Sequence, residues 1–238
     1  MKYQAALLLV TICCLFGAAR MASAQTVDEI IGKHIDAIGG KELIGKIQTI
    51  RMETSTQIMG NDVPGTVTIL NGKGYHAETE FNGVKMIQCY TDKSGWTTNP
   101  MAGKGPEAMP KEQYASGQPQ IHIGGELFDY AAKGSKAELL GKEGTLYKIR
   151  LTASDKAVTT FYIDPVTYFI TRVTKTGEAM GQNVEITISL SDYKKTDYGY
   201  TVPYTTEMDF GGMFSMRVTT SKIEINTPVD PKIFEMPK

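Results

Sequence analysis

From Ile47 onward the chain alternates apolar and polar residues with period two, and this alternation constrains the fold more than any other feature. Thr, Val, Ile and Tyr dominate the stretch, and turn residues interrupt it about every ten positions, the spacing of short strands in an all-β unit. Ile47 to Ile58 reads as a strand and Val63 to Leu70 as the next, with Asn71-Gly72 as a tight hairpin turn. Tyr75 to Phe81 and Val84 to Thr91 pair across Asn82-Gly83, and Asp92-Lys93-Ser94-Gly95 leads to Trp96-Thr97-Thr98. Further on, Tyr147, Ile149, Leu151 and Ala153 alternate, as do Val184, Ile186, Ile188 and Leu190, and Met216 with Val218. Phe161-Tyr162-Ile163, Phe169 to Val173 and Tyr200 to Met208 complete a mostly antiparallel meander of roughly ten or eleven strands.

Two segments depart from that pattern. Before it, Val27, Ile30, Ile31, Ile35 and Ile38 recur at helical spacing behind a Thr26/Glu29 capping box, and Gly39-Gly40 ends the helix. Lys41 to Ile47 adds a short second turn. Within the meander, Asn99 to Lys133 loses the strand signal and is broken by Pro100, Gly103, Gly105, Pro106, Pro110, Gly117 and Pro119. Glu107 to Ala115 and Gln120 to Ala132 read there as short helices. Ile121, Ile123, Leu127, Phe128 and Tyr130 are too apolar for a solvated loop, so this segment is expected to pack as a lid over a sheet curled around the first helix.

The N-terminus bounds the compartment. Lys2 supplies a positive charge, Ala5 to Ala19 is apolar apart from Thr11, and Ala22-Ser23-Ala24 offers the small residues that a signal peptidase reads. We expect residues 1–24 to be a cleaved signal peptide, residues 25–238 to form a single domain, and the product to be periplasmic. Removing Lys2 and Arg20 moves the formal charge from −1 to −3 with no basic cluster left, which argues against nucleic acid as a partner. No later apolar stretch reaches membrane length, so any membrane contact is peripheral. Cys13 and Cys14 leave with the leader, and Cys89 remains without a disulfide partner. Its strand-like context favours a buried, inert thiol over a nucleophile.

Nothing in the mature chain is arranged for catalysis. His34, His76 and His122 are far apart, with no H-x-x-x-H or C-x-x-C pairing, so neither a metal nor a cofactor is called for. His34 falls on the apolar helical stripe, where a structural role outweighs that of a ligand. No G-x-S-x-G elbow is present, and Asp155 and Asp164 lack a second acid at a meaningful spacing. Asp164-Pro165-Val166-Thr167 reads as a turn with proline at its second position. Ten methionines, among them Met52, Met86, Met208 and Met216, suit either a cavity that accepts variable apolar shapes or an ordinary core.

Several segments in order resemble the LolA-like family of outer-membrane lipoprotein-sorting proteins, a fold shared by LolB, LppX and RseB. They are the opening helix with its strand, Tyr90 to Pro100, Phe161 to Thr167 with Arg172-Val173, Ser191-Asp192-Tyr193, Gly199 to Pro203, and Ile225-Asn226 with Val229 to Pro237. The resemblance implies an α+β, mostly β fold: an antiparallel eleven-stranded half-barrel wrapped around helices, with a helical lid and an apolar cavity for acyl chains. It implies a non-enzymatic carrier of lipid or lipidated protein, or else a sensor module of the RseB type that signals to an envelope partner. The residues expected to meet the ligand are Val67, Ile69, Met86, Trp96, Ile123, Leu127, Phe128, Ile149, Leu151 and Phe161. Where the family carries an Arg-Pro that latches the lid, this chain has Lys73-Gly74, so closure is expected to rest on packing alone.

Overall fold

The computed structural model describes residues 25–58, 61–99, 103–179 and 181–237; the expected signal peptide lies outside them. Helix α1 (Val27–Ala37) begins at the expected box, with Thr26 Oγ1 accepting from Glu29 N at 3.2 Å and the Glu29 carboxylate accepting from Thr26 N at 3.0 Å. Its Ile30, Ile31 and Ile35 are buried, and Gly39 and Gly40 supply the positive φ angles that turn the chain into α2 (Lys41–Gly45).

Thirteen strands follow: β1 (Thr49–Ile58), β2 (Asn61–Leu70), β3 (Gly74–Phe81), β4 (Val84–Thr91), β5 (Gly95–Asn99), β6 (Lys104–Ala108), β7 (Lys136–Glu143), β8 (Leu146–Thr152), β9 (Val158–Ile163), β10 (Ile170–Ala179), β11 (Gln182–Lys195), β12 (Thr201–Phe210) and β13 (Ser215–Ile225). They form one open antiparallel sheet in the order β6-β5-β4-β3-β2-β1-β13-β12-β11-β10-β9-β8-β7. Among the described strands the only neighbours distant in sequence are β1 and β13, so the sheet consists of two meanders joined through its first and last strands.

The count exceeds the expected eleven by β6 and β7, which are the two edges of the sheet. Strand β6 contains Pro106, a residue tolerated at an edge because its missing N–H faces no neighbour. Strand β7 is KAELLGKE, a composition of helix formers that its pairing with β8 overrides.

The sheet has to curl. Ile69 on β2 and Leu139 on β7 belong to one apolar cluster with α1, although eight strand-to-strand steps separate them. Laid flat, eight steps would span roughly 38 Å, about three times the diameter of a helix with its side chains. The inward face therefore wraps α1, and Ile30, Ile47, Ile149 and Ile163 at its centre are fully buried.

Between the two edges run helix α3 (Lys111–Gly117), the 3-10 turn η1 (Gln118–Ile121) and a series of turns up to residue 135. The second expected helix, Gln120 to Ala132, does not form: Gly124, Gly125 and Asp129 all adopt positive φ, which interrupts a right-handed helix. The first expected helix shifts to residues 111–117, because Glu107 and Ala108 are taken into β6. A second 3-10 turn, η2 (Pro231–Phe234), closes the described chain against the outer face.

Candidate functional site

The pairing register fixes which side chains point inward. One row runs Leu139, Ile149, Phe161, Val173, Ile188, Met208 and Met216 across seven strands. Another runs Ile223, Met52, Val67, Ala77 and Gln88 from β13 through β4. Near α1 these rows are sealed into the core. Farther from the helix, Val67, Met86, Met208, Phe210, Met216 and Val218 remain half-buried and join none of the three buried clusters. All six lie on the concave face, the apolar trough of the sheet, and the four on β12 and β13 neighbour one another across the Met208–Met216 pair. Leaving apolar side chains partly wet is unfavourable.

The ten residues expected at the ligand separate into groups. Val67 and Met86 line the trough, and Ile69 packs at its inner end. Ile149, Leu151 and Phe161 point inward from the opposite wall but are buried under α1. Trp96 lies on the other face. It pairs with Cys89, one residue out of phase with the inward Tyr90, and its Nε1–H donates to the Phe234 carbonyl at 3.0 Å. The expectation of Trp96 beside the cavity is thus corrected by the two-residue period: it anchors the C-terminal turn on the outer face. Cys89 shares that carbonyl at 3.4 Å, is fully buried, and has its thiol pushed up to about 12 by burial. The inward methionines of β12 and β13, Met208 and Met216, were not among the ten. Their alternation with Thr206 and Val218 is the signal that identifies them.

Ile123, Leu127 and Phe128 were expected to form a movable cover. Ile123 and Leu127 are instead among the most buried residues of the main cluster, with Phe128 packed beside them. Polar contacts fix the same segment. Asn71 Oδ1 accepts from Ile123 N at 3.1 Å while its Nδ2 donates to Ile47 O at 3.0 Å, and Gly72 N donates to Ile121 O at 2.9 Å. Lys41 pairs with Asp129 at 2.5 Å, and the Tyr130 hydroxyl donates to Asp28 on α1. Closure therefore does not rest on packing alone. Lys73 contributes only an exposed ion pair with Asp92 at 3.3 Å, and the neighbouring Asn71-Gly72 turn carries the polar attachment.

Helix α3 lies nearer the trough. Gly117 abuts the Tyr90 ring on β4, and the carbonyl of Ser116 accepts from Lys175 Nζ on β10 at 3.3 Å. Strands β4 and β10 are seven steps apart in the sheet, so α3 bridges its two walls.

The titratable groups are arranged for structure. His34 is buried and its Nδ1 lies 2.9 Å from the Tyr168 carbonyl, which can only accept; that nitrogen carries the proton, and burial holds the ring neutral by lowering its pKa. Among the described residues no three His, Cys, Asp or Glu side chains come together in a way that could hold a metal ion. Two open clefts flank Tyr198 at the helix end, of about 570 and 420 Å³, with charged rims that include Lys222, Glu224, Lys41 and Glu42. Neither overlaps the trough. No described helix is long and apolar enough to cross a membrane.

A curled antiparallel sheet around one helix, with apolar side chains on its concave face, is a half-barrel. No protein-family model matches the sequence, and no curated protein matches it. Solved structures share its architecture. A domain from Vibrio parahaemolyticus described as lipoprotein-sorting superimposes with a TM-score of 0.58 at 14% identity, covering 87% of this chain and 94% of its own. A DUF1329 family protein from Desulfovibrio piger gives 0.59 at 14% identity, covering 89% and 98%. A LolA superfamily protein from Nitrosomonas europaea gives 0.59 at 13% identity, covering 89% and 98%. The fold is LolA-like.

Proposed function

We propose that residues 25–238 form one periplasmic, non-enzymatic carrier domain that takes lipid, or the acyl chains of a lipidated protein, into the trough. The observation that carries this reading is the set of inward, half-buried side chains Val67, Met86, Met208, Phe210, Met216 and Val218, which stay outside the buried core clusters. Each apolar side chain that a ligand covers contributes up to roughly 1.5–3 kcal/mol, and flexible thioethers let one surface fit chains of different shape. The LolA-like fold supports the same reading, since one of its members is described as lipoprotein-sorting. In this reading the movable cover is α3 rather than the buried segment around Leu127.

The test is extraction of the exported protein with organic solvent followed by mass spectrometry. Co-extracted acyl lipid, lost when Ala77→Trp fills the trough, is the expected result. An empty protein that instead retains a protein partner would replace the carrier with a sensor. Intact mass of the exported form should place its N-terminus at Gln25.

A further inference from the structure

The trough is not purely apolar. The second inward row of the sheet reads Ala137, Leu151, Thr159, Lys175, Ile186 and Phe210, and on the two rows that cross β7 to β12 Lys175 is the one charged side chain. It is half-buried beside Ile186 and on the same row as Phe210, at the edge of the trough. A lysine stem suits such a surface, and its ammonium reaches past it to an exposed contact at the rim. The ammonium has three donors, and one is used on Ser116 O at 3.3 Å. Among the described residues no carboxylate comes within ion-pair distance of it. Glu126, in the turn segment, accepts from the hydroxyl of Thr159 on the same row at 3.0 Å instead.

We propose that Lys175 is a head-group anchor, and that the trough takes a long-chain fatty acid with its carboxylate on the Lys175 ammonium and its tail along Phe210, Met208 and Met216. This deepens the carrier reading and rests on it. The argument is one of charge complementarity: two unspent donors on a single cation match the two oxygens and single charge of a carboxylate. The diacylglyceryl group of a lipidated protein is neutral and would leave that cation without a counter-charge. A carboxylate reaching Lys175 also competes with Ser116 O for the same ammonium. Loading would therefore loosen the contact that ties α3 to β10.

Binding of dodecanoic acid and of dodecanol to the exported, delipidated protein at neutral pH, read by displacement of a neutral fluorescent probe, tests this. The wild type should prefer the acid by roughly ten-fold, the worth of one charge-assisted hydrogen bond. Lys175→Met should still bind the alcohol and should take both compounds equally, and Lys175→Arg should keep the preference. An acid preference that survives Lys175→Met overturns the anchor, as does equal binding of acid and alcohol by the wild type. Either result leaves the carrier reading standing. If neither compound binds to the wild type, the carrier reading itself falls. A Lys175-dependent preference for phosphatidylglycerol vesicles over the acid would overturn the carboxylate assignment. The alcohol serves as the folding control, because a misfolded variant loses it too.

Discussion

At the scale of single residues, the outer face shows how little room the fold leaves. A methyl group on Gly74 would sit 2.5 Å from Phe234 Cδ1, so η2 docks only because position 74 lacks a side chain. Gly74→Ala should push the Phe234 ring away and break its carbonyl's contacts with Trp96 Nε1 and Cys89 Sγ. The expected cost is about 1–3 kcal/mol, as for other overpacked sites. Trp96 fluorescence should shift to the red in the same variant as its indole gains water; an unshifted spectrum with normal stability would refute the account. The same burial makes Cys89 inert. With its thiol pushed up to about 12, the thiolate is scarcely populated at neutral pH, and a disulfide reagent should label it only after unfolding. Labelling of the folded protein at a free-thiol rate would show that the C-terminal turn opens.

Among the elements, strands such as β8 were legible because Tyr147, Ile149 and Leu151 recur on one face with a two-residue period. The edges were not. Strands β6 and β7 have one neighbour each, carry Lys136, Glu138, Lys142 and Glu143 or the ring of Pro106, and so lack the apolar alternation that marks a strand. Those same residues blunt the edges against pairing with another chain. Period alone fixed which face Trp96 occupies, yet not which face is concave; that needed the position of α1. The segment around Leu127 was recognisable as packed from its apolar content, but its attachments come from Asn71, which is distant in sequence. Asn71→Ala leaves the Ile47 carbonyl and the Ile123 amide without those partners, a loss of about 1–3 kcal/mol. Amide exchange at residues 121–127 should rise while β8 and β9 stay protected. If protection falls equally everywhere, Asn71 supports the global fold and is no local clasp.

Across the whole molecule, burial is strongest where separate layers meet, and a histidine stands at three of these junctions. His34 joins α1 to the turn before β10, His76 packs edge-on against Trp96 under the C-terminal turn, and His122 follows η1 in the segment that closes the core. Burial is the leading cause that lowers all three pKa values, with Lys133 adding to it at His122. In the unfolded chain each would titrate near the ordinary histidine value of about 6.5. The unfolded state therefore binds protons before the folded state does as pH falls. The stabilisation is complete above about 6.5 and is lost progressively as pH drops from there toward the lower folded values. Acidification should thus lower the urea midpoint between pH about 7.5 and about 5.5, a range in which ordinary carboxylates change charge little. His34→Gln, which can still donate to the Tyr168 carbonyl, should reduce that slope while leaving the two remaining histidines to produce the rest. A midpoint that stays level over this range in the wild type, or a slope unchanged in the variant, would show that water reaches these junctions and that the layers are looser than their burial implies.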